Sequence, residues 1–384
     1  MFDFFDYDFK RYNYTLLLVV TLLSFAGAYF VMCASGTDAG MSMFRKQLIG
    51  MFLGLFMAVG ISLIDYHLIC QFTVVYYIVV TPMVAATKYS PWGTDLGTKS
   101  FRWINVFGIK FQPSEVCKVM LILALAAFFT KFKKRINRVP TILLAITIMM
   151  VPTFFILTQS DLSSSVVIMF VFAMMIFFAG LSYKIILPAL AAGVPLFFIV
   201  YWYIQQPNQK LLNPYQVERI IGFKHPDLYA SETMWQQNQS VTAISAGKLL
   251  GKIFTDNPVR AYRKVGVNES DFIFSVIGEE GGFLGSLLII ALLAIVVIIA
   301  LMTAKNASDR LGMLICVGIA SMFAFQTFAN IGVATRMLPN TGLPLPFLSA
   351  GLSSMLSSMI SIGLLLNIGL QSRVRSDGFS MMNQ

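Results

Sequence analysis

Charge is scarce in this chain. Of its 384 residues only 12% are Asp, Glu, Lys or Arg while 57% are hydrophobic, and the mean hydropathy is +0.75. A water-soluble domain carries about a quarter charged residues, so the composition excludes a soluble globular protein and points to a polytopic membrane protein. Metal ligands are sparse too. The two histidines, His67 and His225, lie far apart, with no Cys-x-x-Cys or His-x-x-x-His spacing, which argues against a metal cage built from side chains. The four cysteines, Cys33, Cys70, Cys117 and Cys316, fall inside or at the ends of apolar segments, where a small hydrophobe is ordinary, and no disulfide framework is readable. Acidic residues number 18 against 28 Lys and Arg, a net charge of +10. The basic residues flank apolar runs, so membrane lipids with anionic headgroups, and not nucleic acid, are the expected partners.

What the chain has in abundance is long apolar runs. A bilayer core about 30 Å thick needs roughly 20 apolar residues per helix. That ruler predicts ten spans, near Thr15–Ser35, Gln47–Ile64, Leu68–Ala86, Ser114–Thr130, Val139–Leu157, Ser164–Leu181, Ile185–Ile204, Phe272–Ala304, Leu311–Thr335 and Ala350–Leu370. The predicted fold is an all-α polytopic integral membrane protein, one transmembrane domain over residues 1–384. The first span is full length and follows a leader carrying Asp3, Asp6 and Asp8, so it reads as an uncleaved anchor.

Ten spans place both termini on one side. Twelve Lys and Arg fall in the segments of that side: Lys10, Arg11, Lys131, Lys133, Lys134, Arg135, Arg138, Lys184, Lys305, Arg310, Arg373 and Arg375. Seven fall in the short loops opposite, a bias that predicts cytoplasmic termini. Most of it comes from the basic loop 131–138, KFKKRINR. A long extracytoplasmic loop, residues 205–270, joins spans seven and eight, and a shorter one, Thr87–Pro113, follows span three. Loops of this length are usually functional or disordered, and the stretch ISAGKLLGKIF marks the long one as partly helical and resting on the membrane surface, a plain connector being the alternative. No internal repeat is apparent, which weakens an inverted-repeat transporter reading.

Ionisable groups inside or beside spans are candidates for function, because an unpaired charge is costly there. Glu115 and Lys118, three residues apart at the outer end of span four, share a face and can pair; the pair would equally serve to pin the helix. Asp161, in the outer turn TQSDLSSS, suits a site or a helix cap. The strongest region is ESDFIFSVIGEEGGFLG, Glu269–Gly285. With Asp271 at the start of span eight, Ser275, Gly278 and Gly282 fall on or near its face, so a carboxylate would stand at the membrane surface above a small-residue groove. As a plain N-cap it would contribute about 1 kcal/mol. Glu279 and Glu280 lie about 12 Å further along, too deep for solvent-facing charges. The long loop adds Arg219, Lys224, Lys248, Lys252, Arg260, Arg263 and Lys264, with the amides Gln236, Gln237, Asn238 and Gln239. Such groups suit a pyrophosphate attached to sugars, or plain lipid headgroups. Spacing alone reaches an outward-facing site for an anionic, polar ligand.

These residues lie in blocks that resemble the SEDS family of bacterial cell-wall polymerases, which includes RodA, FtsW and SpoVE. The blocks, spread over nearly the whole chain, are RWINVFGIKFQPSEVCK (Arg102–Lys118), QSDL (Gln159–Leu162), ERIIGF with a following HPD (Glu218–Asp227), QNQSVTAI (Gln237–Ile244), SDFIFSVIGEEGGFLG (Ser270–Gly285), and NIG followed by LPNTGLPLPFLS (Asn330–Ser349). The opening YDFKRYNYTLLL is most similar to RodA. The resemblance implies a peptidoglycan glycosyltransferase of the bacterial cytoplasmic membrane, serving cell elongation and shape. Such an enzyme polymerises lipid II into β-1,4 glycan strands on the outer face and releases undecaprenyl pyrophosphate, alongside a class B penicillin-binding protein that acts as transpeptidase. The family's catalytic carboxylate matches Asp271.

An α-linked pyrophosphate donor and a β product are joined most simply by one inverting displacement, with one carboxylate as general base. Cationic residues or a divalent ion, Mg2+ or Mn2+, can meet the charge on the leaving group. Arg219, Lys118 and Arg102 are the candidates, Glu115 would orient Lys118, and Asp161, Gln237, Gln239 and Ser240 are candidate substrate contacts. The sequence also departs from the family pattern. Ser160 and Ser163 replace a proline and a glycine, Ser245 and Lys248 replace glycines, Ala350 and Leu352 alter the SYGGSS block, and Arg336 stands where a small residue is usual. Glycine replacement matters wherever φ is positive. A flippase or transporter of lipid-linked precursors, a division- or sporulation-type paralogue, and a non-catalytic scaffold for the transpeptidase are the alternative readings.

Overall fold

The structure is a computed structural model that describes residues 12–91, 93–94, 101–106, 109–159, 161–206, 208–209, 214–224, 234–253, 255 and 259–381. Lys10, Arg11, Ser160, His225 and Asp227 lie outside these residues. The described chain is a helical bundle. In order it forms α1 (Tyr14–Gly36), α2 (Gly40–Ser62), α3 (Tyr66–Gln71), α4 (Thr73–Tyr89), α5 (Pro113–Lys131), α6 (Val139–Thr158), α7 (Leu162–Phe178), α8 (Tyr183–Ile204), α9 (Pro214–Lys224), α10 (Trp235–Ala246), α11 (Ile273–Lys305), α12 (Arg310–Ala334) and α13 (Leu352–Met381). Ten of these correspond one to one with the predicted spans. Eight are long and apolar enough to cross a bilayer; α4 and α7, at 17 residues each, fall short of that ruler. The chain is a multi-pass membrane protein, and the ends of its helices follow from their caps. Asn13, Asp161, Ser182 and Asp309 accept backbone N–H groups of the first turns of α1, α7, α8 and α12, while Pro113 and Pro140 open α5 and α6, where a missing N–H costs nothing.

α5, α12 and α13 form the buried centre. α12 packs against α11 and α7, α5 against α4, and α1 and α2 against α13. At the end of the bundle away from the long loop, His67 lies between Asp65 (2.8 Å) and Asp309 (2.7 Å), and Tyr66 donates to Asp309 at 2.8 Å, tying α3 to the start of α12. The Thr87–Pro113 loop holds a feature that span counting did not anticipate. Strands β1 (Gly93–Thr94), β2 (Trp103–Val106) and β3 (Ile109–Phe111) pair antiparallel, with Ile104 opposite Phe111, and deliver the chain to α5.

α11 is broken where the long loop meets it. At Gly282 (φ +63°, ψ −162°) the helix leaves helical geometry, which frees backbone groups that a membrane interior cannot satisfy. The segment 247–253 supplies the partners. Phe283 and Leu284 donate their N–H groups to the carbonyls of Lys248 and Leu249, and Lys252 and Ile253 donate theirs to those of Glu279 and Glu280. The approach admits no side chain. A Cβ on Gly282 would lie 2.3 Å from the Gly251 nitrogen, and one on Gly251 2.0 Å from the Glu280 carbonyl oxygen. On the small-residue face expected to form a groove beneath Asp271, Gly278 packs against Ile244 and Gly282 against Gly251, and a cavity of about 330 Å³ remains, lined by Ile244, Lys248, Phe274, Gly278 and Gly282 but not by Ser275. Glu279 and Glu280, both wholly buried, complete the latch. Glu279 pairs with Lys252 and accepts the N–H groups of Ala261 and Tyr262 at 2.8 Å each. Glu280 pairs with Arg260 and accepts the Tyr262 hydroxyl at 2.9 Å.

Candidate active site

Asp271 occupies the turn just before α11 and is half-buried. Its carboxylate accepts the Ser270 hydroxyl at 3.2 Å and lies against Gly342, whose absent side chain makes room: a Cβ there would come to 3.0 Å from Oδ2, and the glycine's φ of +76° is one that other residues rarely adopt. Burial raises the Asp271 pKa, and the like charge of Asp161 adds to it. The Ser270 bond and the charges of Arg219 and Arg102 oppose the shift without cancelling it.

Four segments converge there. Arg219, on α9, donates to the Asn340 carbonyl at 3.2 Å. Ser163, at the start of α7, donates to the Thr341 carbonyl. Ser349 donates to the Ser270 carbonyl at 2.6 Å, and Ala350 donates its N–H to the Glu269 carbonyl at 2.8 Å. The TGLPLPF block is therefore fastened to the turn that carries Asp271. Asp161 caps α7 and accepts the Ser164 N–H and hydroxyl at 3.1 and 2.8 Å. Burial pushes its pKa up, but Arg102, these two bonds and Lys118 together hold it below the usual carboxylate range. So Asp161 is both a cap and a member of the charged cluster. Glu115 and Lys118 pair at 2.8 Å, each 2% exposed, with the Ser357 hydroxyl on the second Glu115 oxygen at 3.3 Å.

The sequence-predicted residues thus separate into two groups. Asp271, Arg219, Arg102 and Asp161 share one electrostatic neighbourhood, with Lys118 and Glu115 buried beside Asp161. Lys118 is enclosed and paired with Glu115, its charge also felt by Asp161, a setting that does not present it to a leaving group. Gln237 and Ser240 are placed differently from the expectation of saccharide contacts. Gln237 is buried and donates to the carbonyls of Val333 and Leu338 at 2.9 and 2.8 Å, and Ser240 to that of Ala334 at 2.8 Å. Gln237 thus bonds the end of α12 and the loop that follows it, and Ser240 the last carbonyl of α12, so they dock α10 rather than face an open groove. Gln239 is half-buried on the same helix. Of the departures from the family pattern, Lys248 and Arg336 do fall at positive φ, +50° and +59°. Asn330 and Gly342 sit in quoted blocks, yet spacing gave neither a role. Among the described residues no three His, Cys, Asp or Glu side chains converge as a metal site, and the cations beside Asp271 are arginines.

Known proteins resemble this chain over nearly its whole length. The family model described as cell cycle protein, covering FtsW, RodA and SpoVE, matches residues 11–374. The chain belongs to the FtsW/RodA/SpoVE family. The probable peptidoglycan glycosyltransferase FtsW of Trichlorobacter lovleyi is 32% identical over 359 residues, 92% of this chain and 91% of the relative. That of Bacillus subtilis is 29% identical over 94% of this chain and 91% of the relative. Among solved structures, a chain from work on the structural coordination of polymerization and crosslinking by a peptidoglycan synthase complex superposes with a TM-score of 0.77 at 26% identity, covering 94% of this chain and 98% of the other. The rod shape determining protein RodA of Thermus thermophilus shares the fold, with a TM-score of 0.67 at 22% identity over 93% and 96% of the two chains.

Proposed function

We propose that this family member is a peptidoglycan glycosyltransferase that polymerises lipid II on the outer face of the bacterial cytoplasmic membrane, with Asp271 as general base. The observation that carries the reading is the half-buried Asp271 carboxylate, its pKa raised by burial, with Arg219 and Arg102 as neighbouring cations. Asp271 takes the proton of the acceptor's 4-hydroxyl while that oxygen attacks the donor's anomeric carbon from the face opposite the pyrophosphate. The C–O bond to pyrophosphate breaks with inversion, the proton rests on Asp271, and the charge developing on the leaving group is met by Arg219 and Arg102. Asp161 holds Arg102 by charge, and the Glu115–Lys118 pair supports Asp161 from below. A divalent cation bound with the substrate would supply further charge neutralisation at the pyrophosphate.

The names of the relatives, peptidoglycan glycosyltransferases, support this chemistry, and the synthase complex supports a class B penicillin-binding protein as partner. The topology that goes with it has both termini cytoplasmic and residues 205–270 outside. Within the family, the opening YDFKRYNYTLLL favours a role in elongation, whereas the relatives named FtsW favour division. Complementation of strains depleted of the elongation or of the division polymerase separates the two.

The biochemical test uses purified protein and labelled lipid II, alone and with the transpeptidase partner. Wild type is expected to make glycan chains and Asp271→Asn none. Labelled lipid crossing liposome membranes with no chains formed by wild type would replace the polymerase with the transporter reading.

A further inference from the structure

Asn330 lies on α12, 1% exposed, with no charge of its own, and it holds the Asp271 turn directly. Its Nδ2 donates one hydrogen bond to the Asp271 carbonyl at 2.9 Å and a second to the Leu343 carbonyl at 2.7 Å. These two carbonyls belong to the segments that meet at the carboxylate. The first is the backbone of Asp271 itself. The second follows Gly342, whose α-carbon faces Asp271 Oδ2 so closely that a Cβ would stand 3.0 Å from it. One amide group therefore sets the separation of the carboxylate from the wall against which it rests. Only an amide does this at the length of Asn, because both bonds need donors on a single nitrogen, and Asp offers acceptors alone. The other ties between the two segments, Ser349 to Ser270 and Ala350 to Glu269, act on the residues before Asp271.

We propose that Asn330 is the positioning residue for Asp271: by fastening the Asp271 and Leu343 carbonyls to α12, it fixes how deep the carboxylate sits against Gly342. This rests on the general-base reading of Asp271. Asn330 touches no reacting atom, so its effect is on the aim and enclosure of the base. Misplacement by about 1 Å costs on the order of 100-fold in rate. Loosening the turn also admits water to a carboxylate whose pKa burial raises, so that pKa falls toward its ordinary value.

The experiment compares wild type, Asn330→Asp and Asn330→Ala, each with its transpeptidase partner, in lipid II polymerisation across pH. Each variant is first checked for a monodisperse, cooperatively unfolding preparation. We expect kcat to fall about 10- to 100-fold with KM for lipid II within about threefold, and the acid limb of the Asn330→Ala profile to move to lower pH. A fall by the same factor at every pH, with the limb unmoved, would reduce Asn330 to a stability residue and overturn the proposal; so would unchanged kcat. A second measurement needs no turnover. Labelling of Asp271 by the apolar reagent dicyclohexylcarbodiimide, which requires the protonated acid, is followed by mass spectrometry against pH. Half-labelling is expected at lower pH in Asn330→Ala than in wild type. Equal midpoints overturn the proposal even if lipid II is not the substrate, whereas a shifted midpoint with no glycan made by wild type sinks the polymerase reading and leaves the positioning role standing.

Discussion

At Asp271 burial and the neighbouring arginines pull in opposite directions, and burial prevails. A base must be ionised to act, so turnover is expected to climb as pH rises through an Asp271 pKa above the ordinary 3.8, then level off. Arg219→Ala removes a cation that favours the charged form, and should move that acid limb to higher pH while lowering the plateau. A profile that stays flat down to pH 3.8 in both proteins would contradict the assignment. Gly342→Ala is the second expectation at this scale. A methyl 3.0 Å from Oδ2 on a backbone with φ of +76° adds strain of about 1–3 kcal/mol and displaces the carboxylate, so activity should fall by at least tenfold with the protein still folded. The charged members of the site were legible in the sequence because unpaired charge is costly at a membrane and therefore stands out. Gln237 and Ser240 were misplaced for a physical reason. Spacing says which side chains share a helix face, but not whether that face meets a groove or the open carbonyls of another helix. Asn330 was hidden among them, since its role is a contact with two backbone atoms remote in sequence.

Among the elements, α11 shows how an apolar run conceals its own geometry. Hydropathy reads residues 273–305 as one unbroken span, yet the chain breaks at Gly282 and takes in the backbone of residues 247–253. Two buried glutamates in a membrane helix are tolerable only when each is paired and fully bonded, and the basic residues that pair them, Lys252 and Arg260, come from the loop. The pairing explains why Glu279 and Glu280 lie so deep, which spacing registered without assigning a partner. Glu280→Gln removes the carboxylate shared by Arg260 and the Tyr262 hydroxyl, and because Arg260 keeps access to solvent the loss should be about 1–3 kcal/mol, read as a lowered midpoint in denaturant. It should also open the segment near residues 260–264 to protease before the rest of the bundle unfolds. Gly282→Ala is expected to open the same segment by another route, a clash with the Gly251 backbone. Protection equal to wild type in both variants would mean that the loop is held by something other than this break.

For the whole molecule, order and class were readable and packing was not. Apolar runs of the right length gave the sequence of spans, because burying backbone in hydrocarbon leaves helices as the economical solution. They gave nothing of which helices sit at the centre, since lipid tails and neighbouring helices are equally apolar. The small sheet before α5 was missed because its strands, two to four residues long, are below any periodicity. α8 and α12 make the contrast measurable. Both read as ordinary spans, but no residue of the most apolar stretch of α8 is buried, whereas most of α12 is. Leu187, Leu190 and Phe197 are 57–65% exposed, and Leu314 of α12 is 0% exposed. Truncating Leu314 to Ala empties packed volume and should cost about 2–5 kcal/mol. Leu187→Ala, Leu190→Ala and Phe197→Ala should each stay within about 0.5 kcal/mol, because these exposed side chains fill no packed volume of the bundle. Unfolding in mixed micelles, with the four variants measured side by side in the isolated protein, checks this. Loss at α8 equal to that at Leu314 would show that the helix is packed against the bundle in the membrane.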